Sequence, residues 1–128
     1  MLKNNKTETP SFIIYLGDDQ ICRSIVKKNA EVKIEEAQKV TEIVQLFLSG
    51  EKLPILVDIR NIKSITKEAR EHFTMKNREP SVSAIGLLVK SPLSMLVANF
   101  FIGINRSAVP TKLCINENKA KEWLLKFV

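Results

Sequence analysis

Residues 53–59 read LPILVDI, apolar at every position except Asp58. A strand with one wet face alternates apolar and polar residues. An unbroken apolar run is what a strand covered on both faces requires, as in a parallel sheet flanked by helices. Pro54 stands at the start of the run, where a missing N–H does least harm to a ladder. Upstream, residues 32–50 (VKIEEAQKVTEIVQLFLSG) set Ile34, Ala37, Val40, Val44, Phe47 and Leu48 on one helical stripe, with Ile43 on its flank. Glu35 and Glu36 fall in the first turn, where the helix dipole favours negative charge. Gly50 can leave the last turn in the left-handed conformation. Downstream, residues 64–75 (SITKEAREHFTM) predict a narrower helix with Ile65, Ala69 and Phe73 inward, capped by Ser64 or Thr66.

The same alternation extends to both ends. FIIYL (12–16) and ICRSIV (21–26) flank the turn signal GDDQ and predict a β-hairpin. The second of these runs is interrupted by Arg23 and Ser24, which predicts one less buried side. VSAIGLLVK (82–90) and VPTKLCI (109–115) are two more strands. Ser91 and Pro92 suit the N-cap and first position of a helix between them. NENKAKEWLLKF (116–127) is a last helix, capped by Asn116, with Ala120, Trp123, Leu124 and Phe127 on one stripe. Strands alternating with helices over short connections imply an α/β domain with right-handed crossovers. The expected architecture is a mixed, mostly parallel five-stranded sheet with four helices: four successive βα units preceded by one antiparallel strand. Residues 1–11 (MLKNNKTETPS) read as a flexible tail without an apolar targeting segment, and 12–128 as a single domain.

Composition narrows the function classes. A chain of 128 residues, 45% hydrophobic and 27% charged, is ordinary for a globular protein. Cys22 and Cys114 lack a C-x-x-C pattern, and His72 is the one histidine, so no zinc set of the usual spacing exists. Both cysteines sit in apolar runs and read as buried free thiols. There is no glycine-rich phosphate loop, no H-E-x-x-H and no G-x-S-x-G. No catalytic residue, cofactor or metal is expected, and the chain reads as a cytoplasmic non-enzyme. The net charge of +6 arises from basic residues interleaved with acids, densest around Arg60, Lys63, Lys67, Arg70, Lys76 and Arg78. Without aromatic residues between them, these predict a solvated face rather than a nucleic-acid site.

Residues 92–105 (PLSMLVANFFIGIN) carry no charge. They are too few to span a bilayer. At helical spacing Leu93, Leu96, Val97, Phe100, Phe101 and Ile104 form one stripe, which is assigned to the core. Met95, Ala98 and Ile102 form a second stripe, bordered by Asn99, Asn105 and Arg106. A helix lying on a sheet should be polar there. Met95, Ala98, Asn99, Ile102 and Arg106 are therefore the candidate partner surface, for another protein or a second copy in a homodimer. Cover by the chain's own elements and an apolar ligand are the other readings. At the carboxyl end of the central strand, Asp58, Arg60, Asn61, Ser64 and Thr66 are loop candidates, since ligands of open α/β sheets favour that edge.

In ILVDIRNIKSITKEARE, AIGLLVKSPLSMLVANFFIGIN and VPTKLCINENKAKEWLLKF, the chain resembles the STAS domain, the fold of the anti-anti-sigma factors. More narrowly it resembles small single-domain bacterial proteins described as STAS-like, and distantly the CRAL-TRIO lipid carriers. The resemblance implies a regulatory module that works by docking, or alternatively a carrier of a small apolar molecule. Anti-anti-sigma factors hold a phosphoacceptor in an Asp-Ser-Ser-Gly turn. The corresponding positions here are Thr66, Lys67, Glu68 and Ala69, so Ser64 and Thr66 read as helix caps.

Overall fold

The computed structural model describes residues 6–73, 82–105 and 109–128, with backbone alone for 103–105. In chain order the elements are β1 (Thr7–Glu8), β2 (Phe12–Leu16), β3 (Cys22–Val26), β4 (Glu31–Val32), α1 (Ile34–Leu48), β5 (Leu53–Asp58), β6 (Ser64–Ile65), α2 (Lys67–Phe73), β7 (Val82–Leu88), α3 (Pro92–Asn105), β8 (Thr111–Cys114) and α4 (Glu117–Leu124). A 3-10 turn at Leu125–Phe127 closes the chain. Six strands form one sheet in the order β1-β2-β3-β5-β7-β8, and β4 pairs with β6 beside it. From β3 onward the main sheet is parallel; β1 and β2 are antiparallel to their neighbours. This is the mostly parallel α/β architecture with four helices that the alternation predicts, with one strand more in the main sheet and the β4–β6 ladder in addition.

The extra strand comes from the segment expected to be a loose tail. Thr7 and Glu8 pair with Ile14 and Ile13. Thr9 Oγ1 accepts the Phe12 N–H at 2.9 Å, and Glu36 of α1 accepts the Ser11 N–H at 2.8 Å. Residues 7–11 therefore belong to the domain. Their polar side chains gave no strand signal because the backbone and one helix carboxylate hold them.

The parallel strands are added in one direction only. Right-handed crossovers laid in one direction put every connecting helix on the same face. Accordingly α1, α2 and α3 bury their apolar residues in one core, with Phe12, Ile14, Ile55 and Leu87. α4 follows β8 and packs Ala120 and Leu124 against Leu56, Ala84 and Leu88 on the reverse face. Gly86 makes room for it: a Cβ there would stand 3.1 Å from Leu124 Cδ1.

Local chemistry explains most boundaries. The β5–β7 ladder shifts register between Leu53 and Ile55. Pro54, which has no N–H to donate, occupies that irregularity. α1 ends as Ser49 (φ 51°) and Gly50 (φ 83°) turn left-handed. Thr66, not Ser64, caps α2: its Oγ1 accepts the Ala69 N–H at 3.2 Å, while Ser64 lies in β6. Ser91 caps α3 by accepting the Ser94 N–H at 3.1 Å, and Ser94 Oγ in return accepts the Ser91 N–H at 2.9 Å. Asn116 caps α4 through the Lys119 N–H at 3.0 Å. β3 is more buried than its sequence predicts, because it lies between β2 and β5. Arg23 is buried there with its charge met by Asp19, at 2.6 Å.

Candidate functional site

α3 is rotated about its axis relative to the sequence expectation. Ser94, Val97 and Ala98 are buried, and Phe101 and Ile102 pack partly against the core. Leu93 (36% exposed), Met95 (41%), Leu96 (68%) and Phe100 (36%) face outward, with Asn99 also exposed. Leu93, Leu96 and Phe100, assigned to the core from spacing, are thus surface residues. Of the expected partner stripe, Met95 and Asn99 are accessible, while Ala98 (0%) and Ile102 belong to the fold. Arg106 lies outside the described residues. A charge-free helix offers two apolar rotations of similar merit. The small residues Ser94 and Ala98 select between them, since they allow the helix to approach closely on that side. The buried reciprocal cap at Ser94 was the available signal.

The neighbour of this face is α2. The rings of Phe12, Phe73 and Phe101 form a chain with centroids 6.5 and 6.3 Å apart, fixing α2 and α3 to the core. The Arg70 guanidinium lies 5.2 Å from the centre of the Phe100 ring, a cation–π distance, and donates to the Ile65 carbonyl at 3.2 Å. The exposed apolar face is therefore edged by Arg70 of α2.

The loop candidates do not join this surface. Asp58 is buried, and its carboxylate accepts from Arg60 N (3.1 Å), Nε (3.0 Å) and Nη2 (2.8 Å). Arg60 also stands 3.6 Å from Glu117 of α4, on the opposite face of the sheet from α3. Hydrogen bonding to Asp58 raises the Arg60 pKa above its usual range, with burial opposing. Asn61 is exposed, and its carbonyl accepts the Asn29 N–H at 3.3 Å. Ser64 and Thr66 form strand and cap as described. Among the described strands the order nowhere reverses, and a reversal is where open α/β sheets favour ligands. The groups at the end of β5 are engaged in holding the loop.

Other reactive groups are likewise tied into the fold. His72 Nε2 lies 2.9 Å from Thr41 Oγ1, joining α2 to α1. Burial pushes the Cys22 thiol up to about 12 and raises Cys114 as well. Lys63 pairs with Glu31 at 3.2 Å and Lys27 with Glu8 at 3.0 Å. Among the described residues no helix is long and apolar enough to cross a membrane.

Comparison with known proteins agrees with this architecture. Residues 14–128 match the family described as a domain of unknown function, DUF7793, and the chain belongs to that family. No curated protein matches it. Among solved structures, the chain is similar to an uncharacterised DUF3478-family protein from Shewanella loihica PV-4, described as having a SpoIIAA-like fold. The two share 13% identity at a TM-score of 0.58, over 94% of this chain and 90% of the other. That likeness shows the fold, which is STAS-like. A protein of unknown function from Arthrobacter sp. FB24 shares 29% identity over 92% of this chain and 95% of its own, at a TM-score of 0.36.

Proposed function

We propose that this member of the DUF7793 family is a non-catalytic regulatory module that docks another protein through the outward face of α3. The observation that carries the reading is an uncharged helix whose inner face already fills the core while Leu93, Met95, Leu96 and Phe100 stay in water. Folding buries that face only in part. A fully buried side chain of this size gains about 1.5–3 kcal/mol. Exposures of 36–68% leave roughly half of that per residue, so covering all four would return about 4 kcal/mol. Association costs at least about that much in lost freedom. The patch alone thus suits a reversible partner that adds contacts of its own. A non-catalytic role is supported by the engagement of Asp58, Arg60, His72 and Thr66 in the fold's own hydrogen bonds.

The test is affinity capture from the native host with the full chain and with a Leu96→Asp, Phe100→Asp variant, after circular dichroism shows both folded. A protein retained by the first and lost by the second supports the reading. Identical captures from both would overturn it.

A further inference from the structure

Resting on that reading, we infer that the α3 face selects an acidic amphipathic segment of a partner protein. The reason lies in what surrounds the apolar face. α3 has no charged side chain of its own. Its neighbour α2 turns Arg70 toward it, over the Phe100 ring. Lys67, one turn earlier at i−3, shares that flank of α2. Lys90, exposed, leads into the N-terminus of α3. Among the described residues neither Lys67 nor Lys90 is held in an ion pair. Glu68 of α2 shares the opposite flank with His72, which meets α1 through Thr41. Glu71, at i+4 from Lys67, lies beside them on α2, so the rim of the apolar patch sets Lys67, Arg70 and Lys90 against one carboxylate and is basic on balance.

Such a rim decides between occupants. Two copies meeting through this face would bring basic rim to basic rim in a chain already at +6, a juxtaposition that costs affinity. An interfacial helix in a lipid surface keeps a charged face in water with its apolar face down. The reverse side of α3 is instead packed into the core. A protein segment with apolar anchors at i, i+3, i+4 and i+7, flanked by glutamates, satisfies both the patch and its rim.

The probes are two fluorescent synthetic helical peptides sharing one leucine stripe, one flanked by glutamates and one by lysines. Each is titrated with the full chain by anisotropy at 50 and 500 mM NaCl. The glutamate peptide is expected to bind at least tenfold more tightly at low salt, with the gap closing at high salt as the charges are screened. A Lys67→Gln, Arg70→Gln, Lys90→Gln variant is expected to bind both peptides alike, and Leu96→Asp to bind neither. Equal affinity of the two peptides for the wild-type chain would overturn the acidic selection and leave apolar docking standing. Failure of both peptides to bind would overturn both. Binding to phosphatidylglycerol vesicles in place of the peptides would overturn the inference in favour of a lipid surface. A dimer seen by light scattering and dissolved by Leu96→Asp would overturn it in favour of a second copy.

Discussion

Two aspartate substitutions two residues apart on α3 separate the rotation seen in the structure from the one that spacing alone predicts. Ala98 is 0% exposed and lies among the side chains of the larger core, so Ala98→Asp puts a carboxyl group where it finds no partner. An unpaired buried charge costs several kcal/mol even after relaxation, or the group stays protonated at a similar penalty. Overpacking adds about 1–3 kcal/mol. Together these come to about 5 kcal/mol or more. A chain of this length has roughly 6–19 kcal/mol of total stability. Leu96 is 68% exposed, so Leu96→Asp gives up about a third of a leucine's burial, or roughly 0.5–1 kcal/mol. Poorer helix propensity adds about half a kcal/mol. Guanidinium denaturation followed by circular dichroism at the helix band measures both. Ala98→Asp should be largely unfolded or have a midpoint lowered by about a quarter or more, while Leu96→Asp should lie close to wild type. The reverse order would refute the rotation and return Leu96 to the core. Equal, small losses would mean that neither face of α3 is anchored.

The other predictions test single links in the fold. Thr66→Ala should cost about 1 kcal/mol by removing the side-chain acceptor for the Ala69 N–H, while Ser64→Ala should change stability by less than about half of that. Urea denaturation of the two variants distinguishes cap from bystander. The Asp19 carboxyl is held below its usual pKa, chiefly by its hydrogen bond to Arg23. The unfolded state therefore takes up this proton first as pH falls. The pair's contribution is fully present above the unfolded value near 3.8 and is lost as pH drops through the lower folded value. Asp19→Asn should flatten that part of the stability profile, measured by denaturation between pH 2 and 6. An unchanged slope would mean that the pair does not persist in solution.

Much of this protein can be read from residue pattern, because the pattern is set by burial. The unbroken run at 53–59 predicts a doubly covered parallel strand, and β5 has β3 and β7 on either side with helices on both faces. Ser91, Asn116 and the apolar stripe of α1 mark real caps and a real inner face, since capping and helical periodicity are local. The exposed surface is less legible. The loop candidates Asp58 and Arg60 look like ligand groups in sequence, but the fold gives each the other as partner, and Glu117 from 57 positions on from Arg60 joins them. Thr7 and Glu8 carry no strand signal and become one because β2 offers an open edge.

The sequence by itself determined the order of the five longer strands and the four helices, the caps of α3 and α4, and the presence on α3 of more apolar surface than one core contact can cover. The tertiary structure decided which side of α3 that surplus occupies. Periodicity fixes the angles between side chains around a helix but not the angle at which the helix meets the sheet. That angle was set where Ser94 and Ala98 allowed close approach and Phe101 met Phe73, leaving Leu93, Leu96 and Phe100 in water beside Arg70.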